Sequence, residues 1–460
     1  MGHIVVKKGL DIPLKGKPEG LPQWLVAGGE STPLKKPEVL ALDLVPFEET
    51  KFRLLVQVGD QVKLGQPLVE DKSYPGRYFV SPAGGTVREI RRGVKRRLLD
   101  ISIQVEQDES FVQHELIDLN QISRQQLIDY LMQAGVFTRI FQRPFGFLAQ
   151  PDKVPRSIFV KAIESAPFRA PAEMQVSGYE REFQKGLDVL RSLTEGKVHL
   201  IYHVDTSCHA FHNAKNVEKH TAEGPHPVAN SSLHIQTIDP VLSSNDVIWT
   251  LDALTVVSIG FLITHGRYFV ERVIGIGGEG VIDGRTGFFK VREGFPISSL
   301  ISNRIKKRAV RCITGDPLTG RQVDAEDFLG FQDVAFSVVL ENTERAFLHF
   351  FGAGIKKYSF SRAYLSGHFN NEEREYVFTT NQHGEHRPFI DGVLYDEVMP
   401  LDISTINLVK AILAEDFDLA VELGLLEVDS EDFALPTFVC PSKMEMVDIV
   451  KKGLQRYAAE

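Results

Sequence analysis

Cysteine is scarce in these 460 residues: three in all, Cys208, Cys312 and Cys440, 104 and 128 positions apart. Three thiols cannot all pair and no CxxC occurs, which excludes a disulfide framework and a four-thiolate metal site within one chain. Such usage fits a reducing cytoplasm. Positive charge is also short, with 52 Lys plus Arg against 61 Asp plus Glu and a net charge of −9. A globally basic surface for nucleic acid is therefore excluded. Tryptophan is down to 2 and tyrosine to 11, while phenylalanine reaches 30.

Long apolar runs are missing too. The nearest, residues 247–263, would reach about 25 Å as a helix at 1.5 Å per residue, short of a hydrocarbon core of about 30 Å. Asp252 interrupts it. The run predicts a buried amphipathic helix, capped by Ser243, Ser244 or Asn245 and stopped by Gly266, with no transmembrane span. No apolar signal core follows the first nine residues, so secretion is not expected. Gly2 lacks the Ser or Thr at position 6 that myristoylation uses, because Val6 stands there.

What is present suits a folded, multidomain chain. Hydrophobic residues make up 43% and charged ones 25%, which excludes a disordered or collagen-like chain, and the length predicts two to four domains. Residues 51–105 predict a small barrel or sandwich, with short strands at 52–58, 67–70, 78–80, 86–90 and 98–105 between Gly and Pro turns. Residues 106–150 form a connector, with a helix over 121–135 capped by Ser123 and presenting Leu127, Ile128 and Leu131. Strands at 157–163 and 198–204 and helices at 182–193 and 246–263 predict an α/β unit. Residues 267–345 return to strand, and 400–460 are helical. There, Ser404 and Asp416 are candidate caps and Ser442 opens the last helix.

Several patterns carry chemistry in other settings. VGDxVxxGQPL, then Asp71-Lys72, then SPxxGxV has the order of a biotinyl/lipoyl carrier, whose tip lysine bears the prosthetic group. Ser73-Tyr74-Pro75-Gly76 alters that tip, so the fold is expected without its swinging arm. Residues 275–280 satisfy GxGxxG, but turn residues and a strand follow where a dinucleotide site needs a helix, so a hairpin is expected. Seven of 14 histidines fall between His199 and His234. His199 and His203 on one strand stand about 13 Å apart, too far for one metal, and turn or interface roles are expected. Basic clusters at Arg91, Arg92, Lys95, Arg96 and Arg97, and at Arg304, Lys306, Lys307 and Arg308, suit a solvated face or the docking of anionic lipid or an acidic partner. Phe137, Arg139, Phe141, Arg143, Phe145 and Phe147 alternate aromatic and guanidinium groups, which suits a domain joint or a planar ligand such as a quinone. Nucleophile elbow, Walker loop, HExxH and spaced carboxylate pair are all absent, so there is no self-contained catalytic set.

A family resemblance rests on an ordered series of segments. They are KKGLDIPLKGK at 7–17, Arg143-Pro144-Phe145, VPRSIFV at 154–160, Gly224-Pro225-His226-Pro227 and Asp239-Pro240-Val241. The series continues through ITGDPLTG at 313–320, VMPLDI at 398–403, EDFAL at 431–435 and TFVCPSK at 437–443. Together they resemble the A-type subunit of the bacterial sodium-translocating NADH:quinone oxidoreductase. The resemblance implies a multidomain α+β and α/β chain. Its parts would be a biotinyl/lipoyl-like β barrel with an N-terminal extension (1–105), the connector (106–150), a Rossmann-like domain (151–262), an SLBB (β-grasp-like) domain with a following β segment (263–390), and a C-terminal helical domain (391–460). It also implies a distant likeness to the flavin-bearing NADH subunit of respiratory complex I, in which Cys440-Pro441 would be the remnant of a lost iron–sulfur motif.

The role so implied is a peripheral subunit on the cytoplasmic side of the bacterial inner membrane, within a complex that oxidises NADH, reduces quinone and pumps sodium. No cofactor is expected to be tightly held in this subunit. Flavins and iron–sulfur centres would sit in partner subunits, and the main partner would be a membrane-embedded one. Quinone is the ligand left open, with Phe137, Arg139, Phe141, Arg143 and Phe145 as quinone-proximal candidates and Arg91, Arg92, Lys95, Arg96 and Arg97 as docking candidates. The competing expectations are an autonomous flavin- or NADH-binding oxidoreductase, a prosthetic-group carrier at Lys72, and a scaffold of the related ferredoxin-using complex, whose cysteine-rich motifs are missing here.

Overall fold

Seven short strands between Val39 and Val105 fold into two facing sheets. One runs in the order Val39–Asp43, Leu98–Val105, Gly85–Arg92, Gln61–Val62; the other is Phe52–Leu54, Pro67–Asp71, Tyr78–Val80. This barrel-like sandwich belongs to a computed structural model that describes residues 2–25, 37–343, 352–369 and 374–459. The expected strands at 78–80 and 98–105 lie where the pattern put them. The one expected over 52–58 stops at Leu54, because Asp60 Oδ2 accepts from Gln57 N at 2.8 Å and turns the chain.

The N-terminal extension, expected with the barrel, pairs elsewhere. Gly2–Val5 lies parallel to Glu218–Glu223, and Gln23–Trp24 lies parallel to Phe289 and Lys290. Both cover sheet edges whose backbone groups need partners. The first edge belongs to a seven-stranded sheet ordered Gly2–Val5, Glu218–Glu223, Lys197–His203, Ser157–Ala162, Ile248–Asp252, Phe141–Arg143, Phe147–Leu148. Its four central strands, numbered along the chain, stand 3-2-1-4 and are parallel. The connector contributes the two antiparallel strands at the far edge. Before them, helix Arg124–Gln133 starts at Ser123 with a capping box to Gln126 and buries Leu127, Ile128 and Leu131, as the pattern predicts.

Residues 247–263 are not one helix. Ile248–Asp252 is a strand, and Ala253–His265 is the helix that follows. Asp252 is the hinge between them. Its backbone is extended while its carboxylate accepts from Thr255 N at 2.7 Å, so Asp252 caps the helix in place of Ser243, Ser244 or Asn245. Gly266, in the left-handed conformation at φ 64°, ends it as expected. The helix packs closely on Glu180–Leu193: a Cβ on Gly260 would stand 1.7 Å from Glu182 O. Among the described residues, no helix is long and apolar enough to cross a membrane.

A six-stranded sheet takes the GxGxxG motif. Glu271–Gly277 and Gly287–Arg292 are antiparallel neighbours, so the motif closes a hairpin. Its glycines answer to packing. A Cβ on Gly275 would meet Phe168 O at 2.0 Å, and one on Gly277 would meet the Phe168 ring at 2.7 Å. The chain ends in helices Thr405–Leu413, Phe417–Glu422, Ala434–Val439 and Met446–Tyr457. The last starts four residues beyond Ser442, which does not cap it. Lys443 at φ 50° and the bond from Met446 N to Thr437 Oγ1 keep the chain non-helical until there. Apolar cores cross the expected boundaries. The sandwich and the six-stranded sheet share one, including Leu42, Ile101, Ile274 and Phe336. The terminal helices share another with one face of the seven-stranded sheet, including Phe159, Ile201, Leu408 and Phe433.

Candidate functional site

In open α/β sheets, the crevice beyond the carboxyl ends of the strands, where the strand order reverses, is the usual ligand site. Here it lies after Ser157–Ala162, the first strand of the parallel set. Lys161, Glu164, Ser165 and Arg169 come from this strand and its loop, and His226 and Asn230 from the segment before helix Ser231–Ile238. Asp316 and Thr319 come from the six-stranded unit, and Glu431 from the terminal helices. The cavity they leave is about 30 Å³, room for one or two waters and not for a flavin or a nicotinamide.

Charged pairs fill the space. Arg169 donates from Nε to Glu164 Oε2 at 2.6 Å and from Nη2 to Oε1 at 3.3 Å, and its Nη1 is 3.9 Å from Asp316 Oδ2. Lys161 Nζ is 3.5 Å from Glu164 Oε2. Burial acts to raise the Glu164 carboxyl, but Arg169 and Lys161 outweigh it and hold the group below its ordinary value. Among the described residues, Glu431 has no such ion pair. Burial, with Asp429 and Asp432 close by, lifts it to about 7 against the opposing charge of Lys161. His226 Nδ1 is 2.9 Å from Ser165 Oγ, and burial drops the imidazole to about 4, so it is neutral. Asp11 Oδ1 accepts from His226 N at 2.9 Å, strapping the N-terminal segment over the site. The chemistry on offer is that of an ion-paired joint between three parts of the chain.

The aromatic and arginine run divides into an interior and a surface half. Phe137 is fully buried, edge-on to Trp249 with ring centres 5.5 Å apart. Arg139, also buried, donates to Glu293 and, at 2.8 Å, to Tyr268 OH, with its guanidinium 4.7 Å over the Phe331 ring. Arg272 Nη2 stands 3.5 Å from the same Glu293 oxygen. Burial lowers Arg272, whereas at Arg139 the Glu293 charge overcomes burial and raises it. Arg143 donates to Ser232 Oγ at 2.7 Å and Val428 O at 2.5 Å, fastening the sheet to the terminal helices. Phe141 and Phe145 are half-buried and Phe147 is exposed. Phe147, Phe145, Tyr457 and Phe417 form a ladder with ring centres 5.8, 6.2 and 6.0 Å apart.

The first basic cluster also divides. Arg91 bridges Asp100 and Asp327, and Arg97 pairs with Glu48, while Arg92, Lys95 and Arg96 are exposed. In the second, Arg304 is buried and donates to Leu300 O, Lys306 pairs with Glu279, and only Lys307 and Arg308 are exposed. Lys72 lies on an exposed turn, but the hairpin carrying it is anchored. Arg77 pairs with Asp71 and reaches Ala149 O at 2.8 Å. The histidines scatter. His199 and His220 meet at 3.0 Å, and His212 and His234 face backbone carbonyls. Among the described residues, no group of three or more His, Cys, Asp or Glu side chains is placed to hold a metal ion.

Sequence reasoning singled out none of Lys161, Glu164, Arg169, Asp316 or Glu431. A signal was available: a Lys-x-x-Glu…Arg loop directly after the first strand of an α/β pattern. His226, Asp316 and Glu431 also lie within three of the segments that carry the family resemblance, and the fold brings these to one cavity.

Comparison with known proteins bears on the whole chain. Family models described as "NqrA N-terminal barrel-sandwich hybrid domain" and "NqrA second alpha/beta domain" match residues 4–106 and 122–268. The chain is 35% identical to the A-type subunit of the Na(+)-translocating NADH-quinone reductase of Chlamydia caviae, over 99% of this chain and 97% of that one. It is 36% identical to the same subunit of Chlamydia pneumoniae (99% and 98%) and of Saccharophagus degradans (99% and 100%). Among solved structures, an NAD+-reducing [NiFe]-hydrogenase in the H2-reduced state aligns at TM-score 0.35 and 11% identity over 51% of this chain and 52% of that one, a likeness that carries no argument.

Proposed function

The chain belongs to the family of the A-type subunits of Na(+)-translocating NADH-quinone reductase, and from that premise we propose that it is the peripheral, cytoplasmic-face subunit of a sodium-pumping NADH:quinone oxidoreductase, acting as a docking scaffold near the quinone-reducing end. The observation that carries this is identity at 35–36% along 99% of the chain with proteins so named. We read the 3-2-1-4 parallel order as Rossmann-like and the six-stranded sheet as the SLBB (β-grasp-like) part.

The site supports a scaffold more than a redox centre. The crevice where an α/β sheet would hold a flavin is occupied by its own ion pairs, Arg169–Glu164 foremost. The electron carriers are therefore assigned to partner subunits, with a membrane-embedded one as the chief contact. For quinone proximity we retain the surface half of the aromatic run, Phe141 and Phe145, while Phe137, Arg139 and Arg143 are interior ties of the same segment. The test is reconstitution. The purified chain is expected to show no flavin absorbance band and, added to membranes lacking it, to restore sodium-dependent quinone reduction. A stoichiometric flavin band would overturn the scaffold reading.

A further inference from the structure

We propose that the hairpin tip at residues 92–96 is a membrane-contact point that takes anionic lipid headgroups, with Val94 entering the interfacial layer. This rests on the docking-scaffold role and names the partner of that site. Strands Gly85–Arg92 and Leu98–Val105 meet at Arg92 and Leu98, and Gly93 N donates to Arg97 O at 2.8 Å to close the turn. The base is rigid. Arg91 is held by Asp100 and Asp327, and Arg97 donates to Val45 O at 2.5 Å and to Glu48 at 2.8 Å. Lys451 of the last helix reaches the same Glu48 at 3.6 Å, adding a cation beside the base.

The tip itself is left unneutralised. Arg92, Lys95 and Arg96 are exposed, and none has a carboxylate partner among the described residues; the nearest bond, from Arg92 Nη1, goes to Arg96 O at 3.1 Å. Val94, between them, is 86% exposed. Lys95 and Arg96 hold φ at 53° and 62°, a left-handed backbone that glycine would adopt without cost. Strain kept at two consecutive basic residues points to a use for their side chains. A protein partner would call for an apolar, charge-depleted contact centre, whereas three cations around one aliphatic group suit a diffuse anionic surface with an apolar layer just beneath it. In a chain of net charge −9, this tip also sets which way the molecule faces such a surface.

The experiment is flotation of the full chain with phosphatidylcholine vesicles, with and without phosphatidylglycerol. Binding is expected only with phosphatidylglycerol and should fade with salt. At about fivefold per cation, Lys95→Ala with Arg96→Ala lowers partitioning about 25-fold. Val94→Ser lowers it further without moving the thermal midpoint, and Lys307→Ala with Arg308→Ala leaves it unchanged. Equal binding to both vesicle types, or indifference to the tip variants, overturns the proposal. It is also overturned if vesicles are ignored while the tip variants lose co-purification with the membrane subunits, because the tip then meets an acidic protein face and the scaffold reading stands. Failure of the unaltered chain to co-assemble strikes the scaffold reading instead.

Discussion

Arg169 grips Glu164 with two parallel bonds, Nε to Oε2 at 2.6 Å and Nη2 to Oε1 at 3.3 Å, at the carboxyl end of the central parallel strand. The same guanidinium faces Asp316 of the six-stranded unit, so one side chain neutralises carboxylates from two parts of the fold.

Arg169→Ala should therefore cost about 3 kcal/mol, because it removes the main counter-charge of two largely buried carboxylates and leaves Glu164 only Lys161. Pairing it with Glu164→Gln should recover part of that loss. Urea unfolding of the single and double variants checks the point, and a single variant as stable as the parent would rule out a stabilising role for the joint.

Glu431 makes stability depend on pH. The folded chain keeps its proton up to about 7, whereas the unfolded chain releases it near the ordinary value of 4.5. The stabilisation is thus complete below pH 4.5 and lost as pH rises through 7. Glu431→Gln, neutral throughout, should match the parent at pH 4 and exceed it by about 3 kcal/mol at pH 8. Thermal midpoints at the two pH values decide it.

The buried histidines run the other way. His199, His226 and His234 are each lowered to about 4, chiefly by burial. Unfolded histidine takes up a proton near 6.5, so their stabilisation is present above that value and lost as pH falls toward 4. Stability should then pass through a maximum between about pH 6 and 7. An acid-unfolding titration of a His226→Gln, His234→Gln double variant should show a shallower fall below pH 6.5 than the parent.

The glycines of the hairpin at residues 271–292 predict a contrast between two positions. Gly275→Ala forces a Cβ to within 2.0 Å of Phe168 O and should cost about 3 kcal/mol or more. Gly284, at φ +77° with nothing within 4 Å of a Cβ, should lose only about 1 kcal/mol as alanine, from backbone strain. Similar midpoints for both would mean that packing is not what these glycines serve.

Asp252 separates strand from helix inside one apolar run. Asp252→Ala should cost about 1 kcal/mol, and Asp252→Asn much less, since the amide oxygen can still accept from Thr255 N. Urea midpoints of the two would show it.

Local patterns were legible where one element decides its own form. Ser123 before Leu127, Ile128 and Leu131 specified a capped helix, and turn residues after Gly280 specified a hairpin. The 247–263 run was misread because a strand buried on both faces and a buried helix are equally apolar, and only its parallel pairing with Ser157–Lys161 tells them apart.

By itself, then, the sequence determined the family, the strand-rich first hundred residues, the α/β alternation after them and the helical end, since each follows from residue order and short-range periodicity. Tertiary structure alone decided where the charges go. Arg139 and Arg143 became interior ties, Arg92, Lys95 and Arg96 were left at a bare hairpin tip, and Glu164, Asp316 and Glu431 met at one cavity from positions far apart in the chain. A charge's role depends on which opposite charge stands within a few ångströms and how much water is excluded around it, and neither is written in its neighbours along the chain.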